Sequence, residues 1–258
     1  MATITTELVK ELRDATGISV MQCKRALEEA DGDMNKALAI LKKTSSDIAL
    51  KKADRNAKDG AVMVKTEGNK SVLLALHCET DFVSKNEDFV SVQTKLLDVA
   101  FADGIEKMKE IAKDMIDPLI QKTGENVQLG DAYTVEGNVV GVYIHNNKKA
   151  LIVSLEGGSV DLAKDIAMHI TAMKPEYIKR EDITDEVKNT MLEIFQKEVA
   201  SIDKPEEIKK KMLDGKIATY FKEKTLLDQP FIKNPDETIE KILANAKATI
   251  KEVKSYSI

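Results

Sequence analysis

One order of elements, strand, turn, strand, loop, helix, occurs twice in this chain, and it restricts the available folds more than any other feature. Ala61, Val62, Met63 and Val64 open an apolar strand, Glu67-Gly68-Asn69-Lys70 make a turn, and residues 72–76 return as a second strand. After the loop Thr80-Asp81-Phe82-Val83, a helix capped at Ser84 or Asn86 carries Phe89, Leu96, Leu97 and Ala100 on one side. The order then recurs. Residues 139–144 read as a strand, His145-Asn146-Asn147-Lys148 as a turn, and residues 150–155 as its partner. Gly157-Gly158-Ser159 gives way to a helix bearing Leu162, Ile166, Ile170 and Met173. An Asn-Lys pair precedes the returning strand each time, as an internal duplication would leave it. The prediction is an α+β fold whose core has two related parts, each an antiparallel sheet packed under helices.

The flanks are helical. In the first ~45 residues, Leu8 and Leu12 sit four apart and Gly17 follows Thr16 as a helix stop. Ser19 with Gln22 three residues on makes a capping-box pattern, and Cys23, Ala26, Leu27 and Ala30 give the second helix its stripe. Asp31-Gly32-Asp33 caps a third helix bearing Ala37, Leu38 and Leu41, so three stripes can bury one another as a bundle. Residues 44–59 are polar and Lys-rich and read as an exposed linker or a helical arm. A helix over 105–122 carries Pro118 as an expected kink. Between 185 and 226, Val187, Met191, Ile194 and Phe195 form one stripe. Lys204-Pro205-Glu206-Glu207 restart a helix with Pro at its first position, and Ile208, Met212 and Ile217 continue it as an antiparallel helical hairpin. The expected divisions are 1–55 (three-helix module and linker), 56–136 (first half of the core), 137–183 with 228–258 (second half), and 184–227 (inserted hairpin).

Composition narrows the function classes. The net charge of −5 offers no basic excess for phosphate backbones, and residues 1–54 carry nine acidic and nine basic side chains, so no direct nucleic-acid partner is expected. Cys23 and Cys78 are too few and too far apart for a disulfide framework or a zinc spacing, and read as reduced thiols. The Met1-Ala2-Thr3-Ile4 start has no signal-peptide pattern, and no run reaches the ~18 apolar residues of a membrane span. The expectation is a soluble, cytoplasmic protein without a membrane partner.

No catalytic constellation is visible: no nucleophile elbow, phosphate loop, dinucleotide glycine pattern or His-Glu-x-x-His. The chain is expected not to be an enzyme, and to need no cofactor and no metal. His77, His145 and His169 are isolated from one another, and the neighbours His77 and Cys78 would point to opposite faces of a strand. His169 lies on an apolar helix and reads as a packed, hydrogen-bonded core residue. Phe82 is the odd residue, since aromatics are only 4% of the chain and this one falls in a polar loop. From the residues alone it is either a hydrophobic staple on the following turn or an exposed anchor for a partner's pocket.

The loop Thr80-Asp81-Phe82-Val83-Ser84-Lys85-Asn86 resembles the signature of the elongation factor Ts family. Leu8-Val9-Lys10-Glu11-Leu12-Arg13, Thr16-Gly17, Cys23-Lys24-Arg25-Ala26-Leu27 and Asp31-Gly32-Asp33 with Ala37 resemble its N-terminal module. Lys122-Thr123-Gly124-Glu125-Asn126, Ala167-Met168-His169-Ile170, Lys174-Pro175 and Gln229-Pro230-Phe231 follow in the family's order, so the resemblance covers nearly the whole chain. It implies a ubiquitin-associated-like three-helix bundle, a two-part α+β core and an inserted coiled-coil hairpin. It further implies a guanine-nucleotide exchange factor that binds elongation factor Tu in its GDP-bound and nucleotide-free states, with homo-oligomerisation left open. Thr80, Asp81, Phe82 and Val83 would then disturb the partner's magnesium and phosphate site, with Phe82 as apolar wedge and Asp81 as the polar group beside it. Lys24, Thr123, Gly124, His145 and Ile232 would be further partner contacts. Three features depart from the family's pattern. Gln22 stands where Asp is frequent, residues 127–130 lack the usual basic residues, and the chain stops at Ile258 in what reads as a strand. A short or truncated member is implied, and contacts of the family's C-terminal helix are not carried over. The rival readings are a ubiquitin-associated-type adaptor using the first bundle alone, and a small hydrolase.

Overall fold

A computed structural model describes residues 4–258. The chain is α+β, and the packing of the described residues divides them into two units, one of residues 4–136, 144–150 and 254–258, the other of residues 137–143 and 151–253.

The first unit opens with α1 (Thr6–Thr16), α2 (Val20–Glu29) and α3 (Met34–Lys52). Each start is set by a side chain that satisfies an orphan amide: Thr5 accepts from the Leu8 N–H, Ser19 from Gln22, and Asp33 from Asn35 and Lys36. The reciprocal half of the expected capping box is different, because Ser19 donates to Gln22 Oε1 at 2.9 Å. Val9, Leu12, Ile18, Cys23, Ala26, Leu27, Ala30, Ala37 and Leu41 form the bundle core. Leu38 was expected on that stripe but is 37% exposed, since the inward row of α3 runs Ala37, Leu41, Ser45, Ala49 and leaves Leu38 beside it. That row also extends α3 through the polar stretch after Lys43, and Ala49 enters the neighbouring core.

That core is built on β1 (Asp59–Glu67), β2 (Lys70–Cys78) and β3 (Gln128–Glu136), in the order β1-β2-β3 with both pairings antiparallel. The central strand β2 is buried almost throughout, which is why its apolar run is continuous and does not alternate. Strand β3 was not foreseen; of its nine residues only Val135 is buried, so this edge strand carries little apolar signal. Between β2 and β3 lie α4 (Asp81–Ser84), α5 (Glu87–Ala102) and α6 (Ile105–Thr123), the last continuing through Pro118. Phe89, Leu96, Met108, Ala112, Ile116, Leu119 and Ile120 pack against Val72, Leu74 and Leu76. Between α3 and α6, Ser46 donates to Asp117 Oδ2 at 2.6 Å and Lys42 pairs with Asp114 at 2.7 Å.

The theme recurs, for the most part in the second unit. Strands β4 (Val139–His145), β5 (Lys149–Glu156) and β8 (Thr249–Ser257) form a sheet ordered β4-β5-β8, so in each sheet the later strand joins the second arm of a hairpin. Ser159 caps α7 (Val160–Met173), whose Ala163, Ile166 and Ala167 share a core with Leu151, Val153, Leu155, Leu226, Phe231, Ile239 and Leu243. A 3-10 turn (Arg180–Asp182) leads into α8 (Asp185–Ala200) and α9 (Glu206–Lys224). These two are antiparallel neighbours, with Phe195 edge-on to Tyr220 and Lys216 bonded to Glu198 at 2.7 Å. Pro205 occupies the cap of α9 and not its first helical position. Strands β6 (Pro230–Phe231) and β7 (Asn234–Thr238) and helix α10 (Ile239–Asn245) complete the unit. Among the described residues no helix is long and apolar enough to cross a membrane.

Candidate functional site

Strand β2 ends at Cys78, and the chain then makes one helical turn, α4, before Asn86 caps α5. Two helix starts within six residues leave the four-residue α4 as a projection. Phe82 stands on it with 83% of its surface exposed, the most exposed large apolar side chain among the described residues. A staple on the following turn would be covered, and this ring is not. Asp81 is also exposed and bonds Lys85 one turn on at 2.7 Å, an ion pair that holds the Lys85 ammonium above its ordinary pKa. Val83 is half-buried against the core of the first unit, and Ser84 is buried, its hydroxyl donating to the Asp81 carbonyl at 3.0 Å. The helix thus has one face rooted and one face free.

The rooting comes from distant segments. Thr80 makes no side-chain cap to α4. Its hydroxyl donates instead to Glu125 Oε1 at 2.6 Å, while the Thr80 and Glu79 amides donate to Glu125 Oε2 at 3.0 and 3.1 Å. The reverse bond also exists, with the Asn126 amide donating to Glu79 Oε1 at 2.7 Å. Glu125 is delivered by the stop of α6. Gly124 adopts φ 77°, a left-handed conformation that suits glycine, and its N–H closes the last turn onto the Ile120 carbonyl. Thr123 accepts the Glu125 N–H at 3.3 Å, and the Gly124 carbonyl receives Lys52 and Arg55. Asn126 is buried and donates to the Ala53 and Arg55 carbonyls, so the end of α3 is tied in as well.

On the other side lies the turn between β4 and β5. Asn146 and Asn147 take left-handed φ values of 50° and 55°, which Asn tolerates better than other side chains. Asn147 accepts the Val62 N–H at 2.8 Å, and Lys148 reaches Asp59, the Gly60 carbonyl and Ser84. Burial raises the Asp59 carboxyl, but hydrogen bonds from Lys148, the Gly60 amide and Ser84 outweigh it and the net shift is downward. Cys78 donates to the Thr80 carbonyl at 3.1 Å; burial, then the charges of Asp59 and Glu125, push its thiol up to about 12, so it stays a protonated structural group.

Of the residues singled out in the sequence, Thr80, Asp81, Phe82 and Val83 sit on this projection, and Thr123 and Gly124 adjoin it through Glu125. His145 is exposed on the turn that Lys148 ties to Asp59. Lys24 is exposed on α2, outside the buried face that helix gives to the bundle core, and pairs with Glu28 at 3.8 Å. Ile232 belongs to the second unit, where it is 42% exposed and its N–H donates to His169 Nδ1 at 3.2 Å. That bond makes Nε2 the protonated nitrogen of His169, which meets Gln229 Oε1 at 2.8 Å. His169 is fully buried, and desolvation lowers its pKa against the opposing Gln229 bond. Sequence reasoning did not assign Glu125, Lys148 or Asp59 to the site. The one available signal was a Thr-Gly-Glu-Asn run that contains a helix stop.

A sequence model of the family described as Elongation factor TS matches residues 79–258, from just before α4 to the last residue. A protein of Hahella chejuensis named Elongation factor Ts is 40% identical over 100% of this chain and 93% of its own. Its namesake from Cellvibrio japonicus is 40% identical over 97% and 89%, and that from Idiomarina loihiensis 38% identical over 96% and 88%. With an exposed aromatic on a braced projection and this similarity along its whole length, the chain belongs to the elongation factor Ts family.

Proposed function

We propose that this protein is the guanine-nucleotide exchange factor of translation elongation, acting in the cytoplasm on elongation factor Tu. It binds the GDP-bound partner, disturbs the magnesium and phosphate site, and so promotes GDP release and GTP rebinding. No covalent step and no cofactor of its own is required. A partner that weakens nucleotide binding is itself bound more weakly when nucleotide is present, so the factor leaves as GTP enters. Phe82 is the apolar wedge, Asp81 the polar group beside it, and Thr80 and Val83 complete the exchange loop. Lys24, Thr123, Gly124, His145 and Ile232 are further contacts, spread over the proposed module 1–55, the core halves 56–136 and 137–183 with 228–258, and outside the inserted hairpin 184–227.

The observation that carries this reading is the exposure of Phe82, 83%, on a helix whose other face is fixed by buried and bonded groups. An exposed aromatic on a mobile loop would lose much of its contact energy in being ordered; on a rooted helix that cost is reduced. The test is release of fluorescent GDP from elongation factor Tu with substoichiometric factor. Acceleration with turnover is expected, and a release rate equal to that of elongation factor Tu alone would sink the reading.

A further inference from the structure

We infer that Glu125 is the positioning residue of the exchange loop: its carboxylate sets the direction in which α4 presents Phe82. The inference rests on the exchange reading above. A helix of four residues has almost no stability of its own, because nucleation fixes several residues for very few internal bonds. The side chain that would ordinarily cap it, Thr80, makes no cap, so what holds its entrance must come from elsewhere. Glu125 supplies it from 45 residues away with three hydrogen bonds, to the Glu79 and Thr80 amides and the Thr80 hydroxyl. The Asn126 amide returns a bond to Glu79, so the two segments are cross-braced in both directions. Glu125 is itself placed by the left-handed stop at Gly124 and by Thr123, which makes these two residues part of the same support.

The geometry separates positioning from charge. A glutamine at position 125 preserves all three bonds: its Oε1 can accept both amides, and its Nε2 can donate to the Thr80 hydroxyl, which accepts as readily as it donates. Alanine preserves none. If Glu125 acts by orienting α4, Glu125→Ala should slow stimulated GDP release by about tenfold or more, the scale of loss that a small misplacement of a working group produces. Glu125→Gln should retain most of the activity. Glu125→Ala should add little further loss in a Phe82→Ala background, since residues acting through one another are not additive.

The experiment measures release of fluorescent GDP from elongation factor Tu by wild type, Glu125→Ala, Glu125→Gln, Phe82→Ala and the Phe82→Ala/Glu125→Ala double variant. Each is checked by thermal unfolding, and amide hydrogen exchange over residues 79–85 is followed in the free proteins. Expected are faster amide exchange in Glu125→Ala alone among the Glu125 variants, rescue by Gln, and non-additivity with Phe82→Ala. Full activity of Glu125→Ala beside an impaired Phe82→Ala overturns the inference and leaves the exchange reading standing. Equal losses for Gln and Ala overturn it in favour of a charge role, and independent losses in the double variant overturn it as well. A wild type without effect on GDP release defeats the exchange reading and the inference together.

Discussion

Phe82 and His169 show how burial assigns opposite roles to ring side chains in one chain. Phe82 gives up 17% of its surface to its own protein, so truncating it should cost the fold almost nothing. If it is the anchor, Phe82→Ala should slow stimulated GDP release by at least about tenfold while the melting temperature stays at the wild-type value. Asp81→Ala should lose less, because its carboxylate already spends one contact on Lys85. A Phe82→Ala variant that melts lower but exchanges normally would count against the wedge. His169 is the converse case. Its folded pKa lies below the ordinary 6.5, so the unfolded chain binds the proton more readily and stability falls as pH drops below that value through the folded pKa. Protonation would also take away the acceptor that the Ile232 amide uses. Thermal melts from about pH 7 to about pH 5 should therefore show a steeper loss for wild type than for His169→Gln. Equal slopes would mean that His169 does not titrate with unfolding.

Local patterns were strong wherever an element buries a face by itself. The two hairpins, the capped starts of α2, α3 and α5, and the stop of α1 at Gly17 are legible because two or three adjacent residues specify each one. Strand β3 was not, since an edge strand with one buried residue takes its conformation from the neighbour that pairs with it. Leu38 was expected within the buried stripe but lies at its rim, because sequence spacing alone does not separate adjacent positions there. The approach of β4 to α7 is another property that sequence does not announce. A Cβ on Gly141 would lie 2.2 Å from the Lys164 amide nitrogen and 2.4 Å from the Ala163 carbonyl carbon, both backbone atoms that cannot swing away. Gly141→Ala should therefore force the helix off the strand and destabilise by roughly 1–3 kcal/mol, measured by urea unfolding. An unchanged midpoint would show that the sheet and helix can part without cost.

At the scale of the molecule, the pair α8–α9 is the part that the rest of its unit needs least. Helix α8 buries only Val199 and α9 buries no residue, and neither contributes to the core that joins Leu151, Ile166, Phe231 and Leu243. The two segments at its base are tied to each other directly, the Glu176 and Tyr177 amides donating to the Lys224 carbonyl and the Leu226 amide to Tyr177. Replacing residues 185–222 with a short Gly-Ser linker, which keeps Lys224 and its bonds to Glu176 and Tyr177, should leave a cooperatively unfolding protein whose melting temperature changes by only a few degrees, followed by circular dichroism. Loss of a cooperative transition would show the hairpin to be structural.

What the sequence determined by itself was what neighbouring residues can encode: helix starts and stops, hairpin turns, the apolar stripes, and a rare aromatic in a polar loop. Together with the order of its motifs, that was enough to give the fold class and to single out Phe82. Tertiary structure decided what depends on residues far apart. Only folding brings Glu125 to Thr80 across 45 positions and Lys148 to Asp59 across 89, and only the packed chain shows Phe82 uncovered and His169 sealed in. The reason is physical. A cap or a turn draws its energy from atoms a few bonds away, whereas the orientation of a four-residue helix comes from hydrogen bonds whose partners meet only after the core has closed.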